Sequence, residues 1–598
     1  MFVWNKGDLN EEQEAAVNEG RSVFLVACPG SGKTRALTYK IASQLSKLQS
    51  DKQWVVAITY THRAADEIHE RIENLGLDTS RLWIGTIHSF CLEWILKPYA
   101  IYHDALKYGF RVINSHDTER IQTELCRPYR NPNISHWDCN HYYTPTGRVL
   151  TCYAPRRAHV QAVLDRYHAM LIEKRQIDFE LILRFAYELI VSQPTISKLL
   201  SSLFSYVLVD EYQDTKEIQY AILAAILKAG DGKVGAFIVG DPNQAIYGSL
   251  GGYAITAAEF RAMARIDLKE MHLSRNYRSS ERIVDYFGHF NVYATEIAAD
   301  GEYKEYPSLI SFDRATMRDD LEAELVRLVR YNIETLGIAP YEICILAPQW
   351  VHLASMTRRL VAALPEYGFD GPGMVPFARD IDNFWYKLSK IVLTQASPHM
   401  YVRRVRWIGE VLSALADAGA DISTLTRKSL LKTCNSVTIV EEDGLAYLEQ
   451  YFDALFAAIG VDFRAFPVLA EHHDAFFESS RARIKRLETE GAGYIGEIAT
   501  FRRVFEGRKG ITVSTIHGVK GAEYDAVIAY ALLEGMVPNF NDPSPVESAN
   551  KLLYVIGSRA RRNLHLLAER GRMRAGGWGE YQPTTVLAEC LFDYDAAP

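Results

Sequence analysis

The sequence lacks the features that mark membrane, secreted and disordered proteins. No apolar run in its 598 residues approaches the ~18 residues needed to cross a bilayer. The opening residues, MFVWNKGDLNEEQ, show no basic segment followed by an apolar one, as a secretory signal would. Cysteine is scarce, with eight residues, which favours reduced thiols. We therefore expect a cytoplasmic protein with no membrane partner.

An excess of positive charge is also missing. The chain has 66 Lys and Arg against 74 Asp and Glu, a net charge of −8, so its surface as a whole cannot attract nucleic acid. A nucleic-acid partner would need a local basic track. The spacing of Cys126, Cys139, His141 and Cys152 lacks the close cysteine pairs of a structural zinc site, and we expect no metal there.

The length and the hydrophobic pattern predict four domains. At about 150 residues per domain, the chain is long enough for about four compact units. Short apolar segments predict strands at Arg21–Ala27, Trp54–Tyr60, Tyr206–Val209, Ala236–Val239, Glu342–Ala347, Ile511–Ser514, Ala526–Ala529 and Leu564–Leu567. Helix-rich sequence interrupts each set of four. We predict an α/β protein with two parallel-sheet cores, at residues 1–91 plus 201–275 and 276–349 plus 509–598, interrupted by mostly helical insertions at 92–200 and 350–508.

The first predicted strand is followed by a phosphate-loop pattern. The pattern comprises Ala27, Cys28, Pro29, Gly30, Ser31, Gly32, Lys33 and Thr34, and a helical pattern follows it. Gly30 and Gly32 allow the backbone to wrap so that its N–H groups face phosphate. We expect Lys33 to reach the β- and γ-phosphates and Thr34 to supply one oxygen to Mg²⁺.

An acidic pair stands at the end of a later strand, in DEYQDT. Carboxylates at the carboxyl edge of a parallel sheet lie where α/β proteins bind ligands. We expect Asp210 to hold the Mg²⁺ shell, and Glu211 to orient and deprotonate the attacking water. Such a pair taken alone is equally compatible with a solvated turn. Phosphoryl transfer also needs positive charge beside the γ-phosphate, and Arg278 and Arg559 are the candidates, although most arginines only solvate the surface.

With three further motifs added, the chain resembles the UvrD/Rep/PcrA-like superfamily 1 DNA helicases. The motifs are GDPNQAIYG at 240–248, NYRS at 276–279 and TIHGVKGAEYDAV at 515–527, and they occur in family order between Leu9 and Arg561. The resemblance implies two RecA-like cores with ATP and Mg²⁺ in the cleft between them. It also implies 3′ to 5′ movement on single-stranded DNA and binding at junctions of single- and double-stranded DNA.

The resemblance also assigns roles to single residues. Gln13 resembles the glutamine that reads adenine, and Arg35 and Tyr277 resemble the pair that stacks on the adenine ring. Gln244 resembles the γ-phosphate sensor, and Glu523 resembles the glutamate near the ribose and phosphates. The strand track, meaning the residues expected to contact DNA, comprises Thr59, Tyr60, Thr61, Thr86, His88, Phe90, Tyr247, Thr515 and His517. Alternatives stay open for three of them: Phe90 as core packing, His88 as the partner of a backbone carbonyl, and Tyr60 as an aromatic at a strand end.

The sequence departs from the family pattern after Tyr247. Gly248, Ser249 and Leu250 stand where the family usually has an aromatic residue and an arginine. This departure favours a second hypothesis: a DNA-activated ATPase that regulates a multi-protein assembly, such as a Gabija-type antiphage system with a separate nuclease subunit. Only 37 residues follow Arg561, so we expect no nuclease domain within the chain itself.

Two basic clusters in the second insertion have no family role. The clusters are Arg403, Arg404 and Arg406 with Trp407, and Arg481, Arg483, Lys485 and Arg486. They are compatible with duplex or partner binding, or with a solvated helix face.

Overall fold

The computed structural model describes residues 2–371, 375–377, 380, 383–489, 495–574 and 579–596. Within these residues the chain folds into two parallel α/β cores, each interrupted by an insertion. Among the helices of this described part, none is long and apolar enough to span a membrane.

The first core begins with alternating helices and strands. These are α1 (Glu11–Asn18), β1 (Ser22–Ala27), α2 (Lys33–Leu45), β2 (Trp54–Thr59), α3 (His62–Asn74), β3 (Leu82–Thr86) and α4 (Ile87–Phe90). The sequence of β1, SVFLVA, is almost continuously buried because helices cover both faces of the sheet. Helix α2 ends at Leu45.

The first insertion is helical with one hairpin. It contains α5 (Lys97–Tyr99), β4 (Arg111–Val112), α6 (Ser115–Cys126), β5 (His141–Thr144), β6 (Gly147–Leu150), α7 (Arg157–Glu173), β7 (Gln176–Ile177), α8 (Phe179–Ser192) and α9 (Pro194–Leu203). Strands β5 and β6 pair antiparallel within the stretch rich in Pro, Asn and Tyr. Leu164 and Leu181 of this insertion belong to the same hydrophobic core as Phe24 and Val56, so the insertion packs directly on the first sheet.

The chain then completes the first sheet. It forms β8 (Phe204–Val209), α10 (Glu217–Ala229), β9 (Gly235–Gly240), α11 (Ala257–Ala264) and β10 (Leu268–Leu273). The strand order is β10-β1-β9-β8-β2-β3 and each neighbouring pair is parallel. The edge strands β3 and β10 were not predicted, because β10 carries charged residues that face solvent. The order brings the carboxyl ends of β1, β9, β8 and β2 side by side.

The second core starts with β11 (Arg275–Asn276), α12 (Glu281–Gly288), β12 (Ala298–Ala299), β13 (Ile310–Asp313), α13 (Leu321–Arg330), β14 (Ile343–Ala347), α14 (Trp350–Ala363) and β15 (Phe369–Asp370). Leu353 and Leu360 of α14 pack in the same hydrophobic core as Ile345. Strand β15 joins the edge of the second sheet. The predicted insertion boundary at residue 350 is therefore wrong, and the core extends through Asp370.

The second insertion consists of α15 (Phe384–Val392), α16 (Pro398–Asp417), α17 (Arg427–Ser436), α18 (Gly444–Ile459), α19 (Pro467–Thr489) and α20 (Ile498–Arg503). It has its own core around Trp385. Arg403 forms an ion pair with Glu70, and Arg406 lies 2.8 Å from Asp66. Glu70 and Asp66 both lie on α3. These two arginines therefore hold the insertion against the first core, which neither the DNA-binding nor the solvated-face interpretation anticipated.

Two other members of the basic clusters, Arg404 and Arg483, are engaged within the insertion. The guanidinium of Arg404 is buried and donates to the carbonyl of Ile391. Arg483 donates to the carbonyl of Val375 over 2.6 Å. Packing within the insertion therefore accounts for these side chains.

The last segment completes the second sheet with β16 (Ile511–Thr515), β17 (Tyr524–Ala529), α21 (Pro545–Gly557) and β18 (Ala560–Leu567), followed by α22 (Thr585–Ala588). The strand order is β13-β18-β17-β14-β16-β15, again with parallel neighbours. The carboxyl ends of β16 and β17 carry the TIHGVKG motif and the loop that precedes α21.

Candidate nucleotide site and strand track

The phosphate loop connects β1 to α2 as predicted. Gly30 and Gly32 have φ angles of +68° and +75°, in the left-handed region that favours glycine. A Cβ atom at Gly30 would lie 2.7 Å from Cβ of Arg278, and one at Gly32 would lie 2.5 Å from Nε2 of Gln13. Both glycines therefore shape the loop and let other motifs approach it. Helix α2 begins at Lys33, so its amino terminus directs backbone N–H groups towards the loop.

The amide of Gln13 is tied to this loop. Its Nε2 donates to the carbonyl of Ser31 over 2.8 Å, while its Oε1 accepts from the backbone of Asn10 over 3.1 Å. The hydroxyl of Ser31 donates to the carbonyl of Cys28 over 2.7 Å. Burial raises the pKa of the Cys28 thiol to about 12, so this cysteine stays protonated and has a packing role.

Two residues predicted to stack on adenine lie beside the loop. Arg35 is exposed on the first turn of α2. The backbone of Tyr277 donates to the carbonyl of Gly30 over 3.0 Å, and its hydroxyl accepts from Asn10 Nδ2 over 2.7 Å. Tyr277 of the second core is therefore held against the loop of the first core. The adenine contacts of Gln13, Arg35 and Tyr277 stay predictions.

The acidic pair follows β8, next to the loop. Burial and the charge of Glu211 raise the pKa of Asp210 to about 7. Burial opposes the ionisation of Glu211, but the positive charges of Lys33 and Lys520 outweigh it and lower its pKa to about 2. Glu211 also has a φ of +51°, which is uncommon for a residue other than glycine. Glu211 is therefore ionised at neutral pH and able to accept a proton.

The residues predicted to hold Mg²⁺ fit a hard cation. Thr34 offers a hydroxyl at the start of α2, and Asp210 offers a buried carboxylate that a bound cation would ionise. In the described part of the chain, no group of three or more His, Cys, Asp or Glu side chains is arranged to hold a metal. Mg²⁺ usually keeps waters and substrate phosphates in its coordination shell, so it needs only one or two ligands from the protein.

Arg559 reaches the first core from the second. Its side chain is 1% exposed, and its Nη2 donates to Oε1 of Gln244 over 2.8 Å. Gln244 in turn donates to Asp241 over 2.8 Å. Burial and the charge of Arg278 lower the pKa of Arg559 to about 9, which leaves it cationic at neutral pH. The predicted sensor and one predicted arginine are therefore in direct contact across the seam between the cores.

Arg278 lies on the same seam. Its Cβ packs beside Gly30, while its Nε donates to Glu523 over 2.7 Å and its Nη1 donates to the carbonyl of Ser558 over 2.7 Å. Glu523 also accepts from Arg561 over 3.1 Å. The structure thus brings Arg278 and Glu523 together at the phosphate loop.

Lys520 is a seam residue to which sequence reasoning gave no role. Its Nζ lies 2.5 Å from Oδ2 of Asp214 and donates to the carbonyl of Gln244 over 2.7 Å. Burial raises the pKa of Asp214 to about 7 even beside this cation. Lys520 and Asp214 both lie within recognised motifs, which was the available signal. Their pair is a second bridge between the cores.

Aromatic side chains form the strand track across the same seam. Tyr60 is 43% exposed, and its ring centroid lies 5.2 Å from that of Tyr247. The ring of Tyr247 lies 5.4 Å from His517 of the second core, and its hydroxyl donates to the carbonyl of His517 over 3.2 Å. These three residues make a continuous aromatic path from one core to the other.

The predicted threonines of the track shape the turns at strand ends. Thr59 donates to the carbonyl of Thr61 over 2.9 Å, and the hydroxyl of Thr61 accepts from the backbone of Ala64 and caps α3. The hydroxyl of Thr86 accepts from the backbone of Ser89, and that of Thr515 accepts from the backbone of Gly518. Each of these hydroxyls thus has a partner in the protein backbone. Those of Thr61, Thr86 and Thr515 accept there and can still donate their own O–H. Direct DNA contacts of the threonines stay predictions.

Phe90 differs from the prediction, whereas the DNA contact of His88 stays a prediction. Phe90 is fully buried against Trp83 and Phe204, so the predicted contact between its ring and DNA is wrong. His88 packs against Phe179, and burial lowers its pKa to about 3, so it carries no charge for a phosphate. A cavity of about 330 Å³, lined by residues that include Tyr60 and His88, lies at the carboxyl ends of β2, β3 and β8.

The first insertion contacts the end of the turn after Tyr247. A Cβ atom at Gly251 would lie 2.7 Å from the ring of Tyr142, which stands on β5. The Nζ of Lys216 lies 5.9 Å from the centroid of the same ring. An aromatic residue from the hairpin thus packs on the turn where Ser249 and Leu250 replace the expected pair. Nothing in the hairpin sequence indicates this contact.

This fold and seam define a P-loop protein built from two RecA-like cores. The family model of the UvrD/REP helicase N-terminal domain matches residues 9–262, and that of the UvrD-like helicase C-terminal domain matches residues 500–570. The two matches together cover more than half of the chain. The chain belongs to the UvrD/REP helicase family.

Individual relatives resemble the chain to different extents. It is 33% identical over 289 residues to DNA helicase II of Salmonella typhimurium. This match covers 46% of the chain and 39% of that relative. It is 24% identical over 650 residues to ATP-dependent DNA helicase PcrA of Leuconostoc citreum, covering 97% of the chain and 84% of the relative. The chain thus matches about two fifths of the first relative's length and most of the second's.

Proposed function

We propose that this protein is an ATP-dependent DNA helicase that moves 3′ to 5′ along single-stranded DNA. The observation that carries the proposal is the contact between Arg559 and Gln244 across the seam, beside Lys33 and Glu211. This contact supports a role for the cationic groups of the second core at the nucleotide site of the first. A triphosphate bound at the seam would therefore join the cores, and its hydrolysis would release them.

Each site residue has a role in this proposal. The loop and Lys33 hold the phosphates, and Thr34 and Asp210 hold Mg²⁺, whose charge helps neutralise them. Glu211 orients the attacking water and accepts its proton, because its carboxylate is ionised beside Lys33. Arg278 and Arg559 stabilise the negative charge that develops on the γ-phosphate. Gln13, Arg35, Tyr277 and Glu523 hold the nucleoside.

The same seam connects hydrolysis to the strand track. Gln244, which contacts Arg559 and Lys520, lies three residues before Tyr247 in the sequence. Tyr247 contacts both Tyr60 and His517, so a change in the distance between the cores alters the aromatic path. We infer that opening and closing of the seam moves these rings relative to each other along the strand. The 3′ to 5′ direction follows the family resemblance.

The test uses the purified chain alone. We expect single-stranded oligonucleotides to stimulate ATP hydrolysis, and ATP to drive displacement of a strand from a 3′-tailed duplex but not from a 5′-tailed one. Displacement only from the 5′-tailed duplex would contradict the direction. Hydrolysis that ignores DNA would contradict the helicase proposal itself.

The departure from the family pattern after Tyr247 favours one alternative function. Tyr142 packs on Gly251, and Ser249 and Leu250 provide neither an aromatic ring nor a cation at this turn. A DNA-activated ATPase that regulates a protein partner, such as a nuclease subunit, fits this feature. Such a protein would hydrolyse ATP on DNA and displace strands only when the partner is added. In either case we propose a cytoplasmic protein, where its eight free cysteines stay reduced.

A further inference from the structure

The first insertion contains a segment whose charge is opposite to that of the chain. Residues 126–160 include five arginines and a single acidic residue, whereas the whole chain has a net charge of −8. The same segment is rich in aromatic residues, with Tyr129, Trp137 and Tyr153 among them. Neither the nucleotide site nor the strand track uses these residues, apart from the contact of Tyr142 with Gly251.

The fold brings three parts of this segment together. The Sγ atoms of Cys126 and Cys139 lie 3.6 Å apart, and Arg156 Nη1 lies 2.7 Å from Asp138 Oδ1. Five exposed side chains lie within four sequence positions of Cys126, Asp138, Cys139, Cys152 or Arg156. They are Arg127, Arg130, Trp137, Tyr153 and Arg157, which we call the basic aromatic surface. They therefore share one end of the insertion.

The three arginines of this surface are not neutralised. Arg148 pairs with Asp165, and Arg156 pairs with Asp138. In contrast, no acidic side chain of the described residues forms an ion pair with Arg127, Arg130 or Arg157, all of which are exposed. Unpaired guanidinium groups on an otherwise acidic protein attract polyanions locally.

The aromatic members are open to solvent. Trp137 is 73% exposed and Tyr153 is 64% exposed. Large rings held in water beside free arginines are the combination that binds unpaired nucleotides, because bases stack on the rings and phosphates contact the guanidinium groups. A duplex would not use the rings in this way, since its bases are already stacked and their faces are hidden.

We propose that the basic aromatic surface is a second binding site for single-stranded nucleic acid, continuous with the strand held by Tyr60 and Tyr247. This inference rests on the proposed function. The hairpin supplies the continuity, because Tyr142, which lies between Trp137 and Tyr153 in the chain, packs on Gly251. The next residue, Gly252, donates its backbone N–H to the carbonyl of Tyr247 over 3.0 Å. One strand can therefore pass from the seam to the insertion.

The test compares short and long single strands. Fluorescence anisotropy measures the binding of oligothymidylates of about 8 and about 24 nucleotides, the shorter being sufficient for one binding groove only. We compare the wild type with Trp137→Ala/Tyr153→Ala, with Arg127→Ala/Arg130→Ala/Arg157→Ala and with a control, Tyr341→Ala. Tyr341 is 45% exposed and precedes β14, so it belongs to the second core and not to the first insertion.

We expect the wild type and the control to bind the long strand more tightly than the short one. Both surface variants should bind the long strand roughly tenfold more weakly, with little change for the short strand. In the arginine variant, the slope of log affinity against log salt for the long strand should fall by about 2. Trp137→Phe/Tyr153→Phe should keep most of the affinity, since the rings remain. Full ATPase stimulation by the short strand confirms that each variant is folded.

Three results would overturn the second site. The first is equal wild-type affinity for long and short strands. The second is unchanged binding of the long strand by both variants. The third is a loss of affinity in the variants for blunt duplex but not for single strands. Failure of the proposed function looks different, because the wild type would then hydrolyse ATP without responding to either strand.

Discussion

The two ends of the carboxyl edge of the first sheet are built differently. At the nucleotide end, where β1, β9 and β8 finish, polar side chains face one another and the second core. Glu211, Gln244 and Arg559 are examples. At the track end, where β2 and β3 finish, the hydroxyl groups of Thr59 and Thr86 are bonded to the backbone and the ring of Tyr60 is exposed.

This difference separates two kinds of function. Phosphoryl transfer needs charges at fixed positions in a buried site, so removing one charge removes most of the activity. A sequence-independent grip on a strand is distributed over several rings and turns, so each removal has a graded effect. The predictions below test this contrast, from the largest expected effect to the smallest.

The nucleotide end should show all-or-none behaviour. We expect Lys33→Ala and Glu211→Gln each to lower ATP turnover by at least about 10³-fold, because one loses the phosphate contact and the other the proton acceptor. Glu211→Gln should still bind ATP. Steady-state hydrolysis and equilibrium nucleotide binding measure both. Glu14→Gln, the same chemical change on the exposed face of α1, is the control. Wild-type turnover by either site variant would contradict the assignment.

The second bridge between the cores should have an intermediate effect. Lys520→Met leaves Asp214 buried without its cation, which we expect to lower the free energy of unfolding by about 3 kcal/mol and turnover by roughly tenfold or more. Lys520→Met/Asp214→Asn should recover much of the stability but not the turnover. Thermal denaturation and ATPase assays separate the two. A single variant with wild-type stability and turnover would show that the bridge is dispensable.

The strand track should respond gradually. Tyr60→Ala and Tyr247→Ala should each weaken binding of single-stranded DNA roughly tenfold, with basal hydrolysis nearly unchanged, since each removes one stacking face. Phe90→Ala is the matched contrast, because its ring is buried and its loss should lower stability by about 3 kcal/mol or more. Oligonucleotide titrations measure DNA binding, and melting curves measure stability. Weaker DNA binding by Phe90→Ala with wild-type stability would contradict this distinction.

Salt concentration should affect the strand track but not the nucleotide site. We expect rising salt to reduce the stimulation of ATP hydrolysis by single strands, because phosphate contacts release counterions, while DNA-independent turnover changes little. The measurement is the DNA concentration at half-maximal stimulation at several salt concentrations. A stimulation that is independent of salt would indicate a track without phosphate contacts.

The same contrast explains what the sequence could predict. The phosphate loop and the acidic pair follow fixed spacings at strand ends, so Lys33, Thr34, Asp210 and Glu211 were placed without a structure. Phe90 and Tyr60 are both aromatic residues near strand ends, and only tertiary packing decides that one is buried and the other exposed. The contacts of Tyr142 with Gly251 and of Lys520 with Asp214 join residues far apart in the chain.

Element boundaries show the same limit. Strand β15 has two residues, Phe369–Asp370, and carries no periodic pattern, so the second core was predicted to stop about twenty residues too early. It is recognisable as a strand only because it pairs with β16.

The most direct test of a nucleotide site shared by the two cores is Arg559, measured by nucleotide affinity and single-turnover hydrolysis in Arg559→Ala and Arg559→Lys. We predict that both variants bind ATP with a Kd within a few-fold of the wild type, and that Arg559→Ala hydrolyses it about 10³-fold more slowly or worse. Arg559→Lys should recover little of the rate, because lysine lacks the planar fork that contacts Gln244. Weaker binding with an unchanged rate of hydrolysis would contradict this account.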